Sequence, residues 1–265
     1  MTQRNRVMTD LPFCHPDRPR PRFRPLKALG HFRNLIANKE DTEQVFHIFE
    51  ALPRRSFRTN ARNFIESEKG KALFASEKYL PVILDDHAAL EKLPANSVGR
   101  AYIAFMQREG LSAAGLVAEY DKFQDPSKRY DDMIQWYGNR QRDTHDLLHI
   151  LTGYGRDALG EQCVLAFTYG QNRNWGNLLI SYAGGWELKR RVKADAPVFA
   201  AIREGQRHGT LAANLVKEDI VKLLAEPLAD ARQRLAIGEP TQYRRAHETY
   251  QAVGIDPYDF LAAAA

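Results

Sequence analysis

The chain of 265 residues is 44% apolar and 27% charged, a balance that suits a folded globular protein and excludes wholesale disorder or a collagen-like repeat. Its formal charge of +5 is unevenly spread: residues 1–33 hold eight Lys or Arg against only Asp10 and Asp17, so the excess belongs to a leader and the remaining body is slightly acidic. Two cysteines, Cys14 and Cys163, give neither a disulfide framework nor metal-ligand spacing, and there is no signal-peptide core and no apolar run long enough to span a bilayer.

In chain order, residues 1–25 read as an extended or disordered arm. Five of the thirteen prolines lie between Pro12 and Pro25, in a stretch ending RPRPRFRPLK, where proline removes backbone donors and the arginines repel one another. Such an arm is either a solvated tail or a polybasic contact with anionic lipid or partner subunits. Nucleic acid is not an expected partner, because the body is near neutral and carries no reading motif.

The pattern then turns helical. Leu26, Leu29, Phe32, Leu35 and Ile36 mark a short amphipathic helix; Asp41-Thr42-Glu43-Gln44 opens a second as a capping box does, and Pro53 closes it. Segments 57–75, 86–92 and 97–109 follow, the last running from Ser97 to a C-cap glycine at Gly110. No proline interrupts residues 127–196, so the long helices are expected there, at about 128–152 and 158–171, with a third around 175–192. Segments near 197–206, 214–236 and 240–251 read as helices separated by Pro, Gly and polar turns. Strand signals are scarce and no internal repeat is found. The expected architecture is all-α: one helical domain over residues 26–265 behind a disordered basic arm.

The proline-free interval carries the chemistry. His145 and His149 are four residues apart, so on a helix they share a face one turn apart, as two imidazoles binding one ion must. Asp146 lies about 100° round from His145 and about 60° from His149. Gly138, Gln141 and Thr152 continue that face and leave room above the histidines. Gly153-Tyr154-Gly155 ends the helix, and a turn through Asp157 leads into a second helix containing Glu161. Folded back antiparallel, that helix returns Glu161 to the level of His149. His145, Asp146, His149 and Glu161 thus form a candidate site for one divalent metal ion: zinc first, with iron(II), manganese or cobalt also suited and copper(I) disfavoured.

Other metal families fit less well. A di-iron bundle needs two carboxylate-x-x-His motifs, of which Asp146-x-x-His149 supplies one. An HD-type phosphohydrolase shares the adjacent His-Asp pair and stands as an alternative, although its further upstream His and later Asp have no assignable counterparts. His15, His31, His47, His87, His208 and His247 have no comparable neighbours and are read as surface or core residues.

His145-Asp146-x-x-His149, followed by eleven residues and Glu161, resembles the signature of the coenzyme Q biosynthesis protein four family. The likeness extends to LPANSVGRAYIAFMQREGLS at 93–112, to the charged pair Arg142-Asp143 ahead of the motif and to GEQCVLAFTYGQ after it, covering about residues 26–190. The Arg/Pro leader departs from the mitochondrial presequences of eukaryotic members and points to a bacterial one.

The resemblance implies an all-helical protein of ubiquinone assembly. It implies a peripheral position on the cytoplasmic inner face of a bacterial cell membrane, other ubiquinone-biosynthesis proteins as partners, and a homo-oligomer. The implied activity is that of a decarboxylase removing the ring carboxylate of a polyprenylated hydroxybenzoate-type lipid, simply or oxidatively with hydroxylation of the same carbon. His145, His149 and Glu161 hold the metal in this reading, His145 and Asp146 are the catalytic candidates, and Asp146 is either a fourth ligand or the proton carrier. A non-catalytic, lipid-binding scaffold of the biosynthetic complex is the alternative. Val164-Leu165-Ala166-Phe167 and Leu178-Leu179-Ile180 are either buried helix or the lining of an isoprenoid tunnel. Arg142, Arg156 and Arg173 are candidate partners for the ring carboxylate.

Overall fold

The computed structural model describes residues 11–38, 41, 43–54, 56–77, 79–123 and 129–259; the first ten residues of the expected arm lie outside them. Residues 11–24 run without helix or strand, as their prolines dictate. This stretch is nevertheless anchored. The carbonyls of Pro12 and Phe13 accept from Met133 N and Ile134 N at 3.0 and 3.2 Å, and Arg18 Nε lies 2.6 Å from the buried Asp132 carboxylate. Arg62 stacks over the Phe13 ring at 4.0 Å. Arg18 is therefore engaged within the chain itself, an attachment that neither reading of the arm included.

Every regular element among the described residues is a helix, apart from one isolated antiparallel bridge between Ser97 and Pro227. The helices group into two compact units, one reaching to His145 and including Leu215–Pro227, the other comprising Asp146–Asn214 and the residues from Leu228 onward.

The first unit holds α1 (Pro25–Ala37), α2 (Glu43–Ala51), α3 (Phe57–Ile65), α4 (Glu68–Ser76), α5 (Leu80–Leu84), α6 (His87–Leu90), α7 (Val98–Glu109), α8 (Ala113–Phe123) and α9 (Met133–Asp143). Expected boundaries recur where caps are strong: Ser97 Oγ accepts from Arg100 N at 3.2 Å to open α7, and Gly110 closes it at φ +65°. The expected segment 57–75 is instead two helices, because Ser67 Oγ accepts from Gly70 N at 3.0 Å and starts a new one. The core gathers Phe64, Phe74, Trp136 and Tyr137 with Met133 and Val216, and Leu11 and Phe13 of the arm pack against it.

The expected helix 128–152 is likewise divided. α9 stops at Asp143, Thr144 turns its Oγ1 back to the carbonyl of Arg140 at 2.8 Å, and α10 (His145–Thr152) begins afresh. The second unit continues with α11 (Ala158–Asn172), α12 (Trp175–Arg191) and α13 (Val198–Leu211). After a 3₁₀ turn at Leu215–Lys217 and α14 (Ile220–Ala225), both in the first unit, it closes with α15 (Leu228–Arg234) and α16 (Thr241–Ala252). The expected segment 214–236 is thus three short pieces.

α11 and α13 approach closely because glycine lines the contact. A Cβ at Gly205 would meet the Cys163 carbonyl at 2.7 Å, one at Gly209 would collide with the Phe167 carbonyl, and one at Gly170 would meet Thr210 N at 2.6 Å. Val164, Ala166 and Phe167 are fully buried in this unit, so the first apolar patch is helix core; Ile180 is buried while Leu178 and Leu179 are half-buried. No helix among the described residues is long and apolar enough to cross a membrane.

Candidate metal centre

Helix α10 places His145, Asp146 and His149 with one ligand atom from each lying within 4.8 Å of the others. An ion accepting ligands at about 2 Å on each side closes such a span with small side-chain shifts. Among the described residues no other three His, Cys, Asp or Glu side chains come together in this way. Asp146 and His149 are buried, His145 half-buried.

The His149 ring is held in one tautomer. Its Nδ1 lies 3.1 Å from the carbonyl oxygen of Tyr154 and 3.2 Å from that of Gly155. Carbonyls only accept, so Nδ1 carries the proton and the lone pair is on Nε2, the nitrogen that lies 3.6 Å from Glu161 Oε2. Glu161 stands in the first turn of α11, brought back toward His149 as the antiparallel turn predicts. Arg156 Nε is 3.5 Å from the other Glu161 oxygen.

The turn between the two helices is tightly specified. Gly153 takes φ +75° to end α10, a left-handed value glycine adopts freely. Asp157, buried, caps α11 by accepting from Leu159 N and Gly160 N at 3.1 Å each. A Cβ on Gly160 would strike the Gly155 carbonyl, so the helix bearing Glu161 sits directly on the turn.

From α16, the Tyr243 hydroxyl accepts from Gly155 N at 2.9 Å and donates to Asp157 Oδ2. Burial, then the charge of Asp157, pushes the Tyr243 phenol well above its ordinary range and keeps it a donor. His247 Nε2 lies 3.2 Å from Asp157 Oδ1, and its ring tilts against Tyr243 with centroids 4.3 Å apart. His247 therefore supports the turn, a role its sequence neighbours did not reveal. Tyr243 is 86 residues from Asp157, beyond the reach of any local spacing.

Several expectations change. Gly138 and Gln141 belong to α9, so the continuous face drawn through them ends at Thr144. Thr152 Oγ1 donates to the Leu148 carbonyl at 2.6 Å, turned into its own helix. Arg142 pairs with Asp143 at 2.7 Å and lies over the Tyr120 ring, while Arg173 caps α11 in the left-handed region with its guanidinium over Tyr169. Of the three arginines, Arg156 is the one paired with a site carboxylate.

The donor set, two imidazoles with two carboxylates and one imidazole oriented by backbone carbonyls, is what zinc, iron(II), manganese or cobalt(II) takes.

A family model described as "Coenzyme Q (ubiquinone) biosynthesis protein Coq4" matches residues 32–241. The Aspergillus flavus "Ubiquinone biosynthesis protein coq4, mitochondrial" is 28% identical over 159 residues, 58% of this chain and 51% of that protein. "Ubiquinone biosynthesis protein COQ4 homolog 2, mitochondrial" of Culex quinquefasciatus is 29% identical over 103 residues, 39% and 43% of the two chains. The corresponding Drosophila ananassae homolog is 31% identical over 98 residues, 37% and 34%. Each match thus spans about half of the relative or less. A crystal structure from Nostoc punctiforme PCC 73102 superposes with a TM-score of 0.55 at 20% identity, covering 81% of this chain and 98% of that one, and shares the fold.

Proposed function

The chain belongs to the coenzyme Q (ubiquinone) biosynthesis protein Coq4 family, and from that premise we propose that it is a metal-dependent enzyme of ubiquinone biosynthesis. Its substrate is a polyprenylated hydroxybenzoate-type lipid, from which it removes the ring carboxylate, with or without hydroxylation of the same carbon. The observation that carries this reading is the meeting of His145, Asp146 and His149 on one helix, with Glu161 returned to His149 by the next.

His145, His149 and Glu161 would hold one divalent ion, zinc first among zinc, iron(II), manganese and cobalt, with Asp146 as fourth ligand or proton carrier. When bound, such an ion supplies Lewis acidity at neutral pH. The chain's own residues orient and transfer. Arg156, beside Glu161, presents a guanidinium suited to a ring carboxylate. In the simple reaction the bond from ring carbon to carboxylate would break, the electron pair stay on the ring carbon, and a proton, from Asp146 if it is the carrier and from water if it is a ligand, fill the position as carbon dioxide leaves. The oxidative version would take one oxygen atom from dioxygen as co-substrate, the other leaving as water with two protons and two electrons from an external two-electron reductant, the second co-substrate of that version.

A lipid substrate calls for a membrane surface, and α12 offers one. Trp175 and Trp186 are eleven positions apart, about 20° in helical phase, and are 52% and 60% exposed. Lys189, Arg190 and Arg191 close the same helix. Exposed Trp with basic residues suits a helix resting on an anionic bilayer. The proposed setting is peripheral, on the inner face of a bacterial cell membrane, as a homo-oligomer among other ubiquinone-biosynthesis proteins. A lipid-binding scaffold with a structural metal is the competing reading, and predicts metal without turnover. The phosphohydrolase alternative draws no support from the family match.

Elemental analysis of the purified protein tests the site. The wild type should carry one divalent ion per chain and the His145→Ala, His149→Ala double variant none; full retention by the double variant would remove the site from consideration.

A further inference from the structure

The turn that orients His149 is tied to α10 through Gly153 N and Tyr154 N, which donate to the His149 carbonyl and to Thr152 Oγ1, and to α16 through Gly155 N. Tyr154 and Gly155 give the carbonyls that accept from His149 Nδ1, and the amide of the same Gly155 donates to Tyr243 Oη at 2.9 Å. The hydroxyl donates its own hydrogen bond to Asp157, whose other oxygen caps α11, the helix that carries Glu161. One phenol thus ties the carbonyl turn that orients one ligand to the cap of the helix that carries another. The fit is close: a Cβ at Gly155 would meet Tyr243 Oη at 2.8 Å and collide with Tyr258 Oη. His247 stands on the Asp157 carboxylate at 3.2 Å, with the Tyr258 ring edge-on at 5.9 Å behind it.

We propose that Tyr243, supported by His247 through Asp157, is a positioning residue of the metal centre, fixing the tautomer of His149 and the placing of Glu161 without touching metal or substrate. The inference rests on the reading of these residues as metal ligands. It deepens that reading by placing the ligands' orientation under the control of an α16 side chain. Outer partners of this kind typically change metal affinity by about 10- to 100-fold when removed.

The test uses the full-length chain and three proteins: wild type, Tyr243→Phe and, as a matched loss of one hydroxyl bond in the same unit, Tyr182→Phe, whose hydroxyl donates to Gln206 at 2.9 Å. Nitrogen-15 NMR of the imidazoles in metal-free protein reports the His149 tautomer, and competition with a chromophoric chelator reports zinc affinity. The expected result is a His149 proton on Nδ1 in wild type and Tyr182→Phe, a mixed tautomer in Tyr243→Phe, and zinc affinity about tenfold or more weaker in Tyr243→Phe alone. Unchanged tautomer and affinity in Tyr243→Phe overturn the inference, as does an equal loss in Tyr182→Phe. If the wild type binds no zinc while the tautomer still depends on Tyr243, the metal reading fails and the positioning of His149 stands. Should Tyr243→Phe not fold, His247→Gln must weaken zinc binding in the same direction for the inference to survive.

Discussion

His149 shows what one residue's surroundings add to a spacing. The interval of four to His145 and of twelve to Glu161 marks the candidate ligands, because helix geometry is local and a short turn returns the second helix predictably. The tautomer of His149 is set by Tyr154 and Gly155, and their turn by Tyr243 and His247, which reach the site only through tertiary folding. No pattern near His247 distinguishes it from any other histidine. Glu77 and Arg140 illustrate the same limit in the first unit: both are buried, 2.7 Å apart, with Arg140 Nε also donating to the Val216 carbonyl at 2.7 Å. Burial raises the Glu77 carboxyl above its ordinary 4.5 in spite of Arg140. Its contribution to stability is therefore complete below about pH 4.5 and is lost as pH rises through the raised folded value. Removing Arg140 leaves the buried Glu77 charge with the Val221 amide but no counter-ion, so Arg140→Leu should cost about 3–5 kcal/mol at pH 7. The cost should shrink at pH 4, where Glu77 is protonated. Urea unfolding at the two pH values measures this, and an equal cost at both would refute the assignment.

At the scale of elements, the helices read from the sequence are those whose ends carry strong signals: Pro25 and the Pro53 stop, Ser97 with Gly110, and Asp157 before α11. The breaks at Ser67 and Thr144 escaped because neither residue is a proline or glycine; each folds its hydroxyl back on the main chain, and the apolar pattern runs on across the break. α5 is too short to show a period, and α8 buries little beyond Ala113, so its sequence lacks a sharp apolar stripe. α12 shows the opposite case, in which the outward face is the informative one. If Trp175 and Trp186 rest on lipid, the Trp175→Ala, Trp186→Ala double variant should bind anionic vesicles at least tenfold more weakly than wild type while keeping its metal and fold. Cosedimentation with phosphatidylglycerol vesicles at low salt measures it, since the basic end of the helix contributes only while screening is weak. Unchanged cosedimentation would leave those tryptophans free for a protein partner instead.

The family match runs from residue 32 to 241 and so draws on both compact units, although the candidate centre lies almost wholly in the second. Apart from His145, which opens α10 at the boundary, every residue assigned to the centre or its support lies between Asp146 and Asn214 or beyond Leu228. The basic leader, which gave the chain its net charge, is in its described part bound to the first unit through Asp132. Its charge therefore does not by itself specify a partner. What the molecule does rests on whether the metal centre turns over a carboxylated lipid. The most direct measurement follows by mass spectrometry a prenylated 4-hydroxybenzoate-type substrate given to metal-loaded wild type with a two-electron reductant, with and without oxygen, beside His145→Ala. The wild type should release the ring carboxyl as carbon dioxide, with oxygen gained at that carbon if the reaction is oxidative, and His145→Ala should leave the substrate unchanged. Metal-loaded wild type that leaves it unchanged under both atmospheres would rule out the proposed decarboxylation.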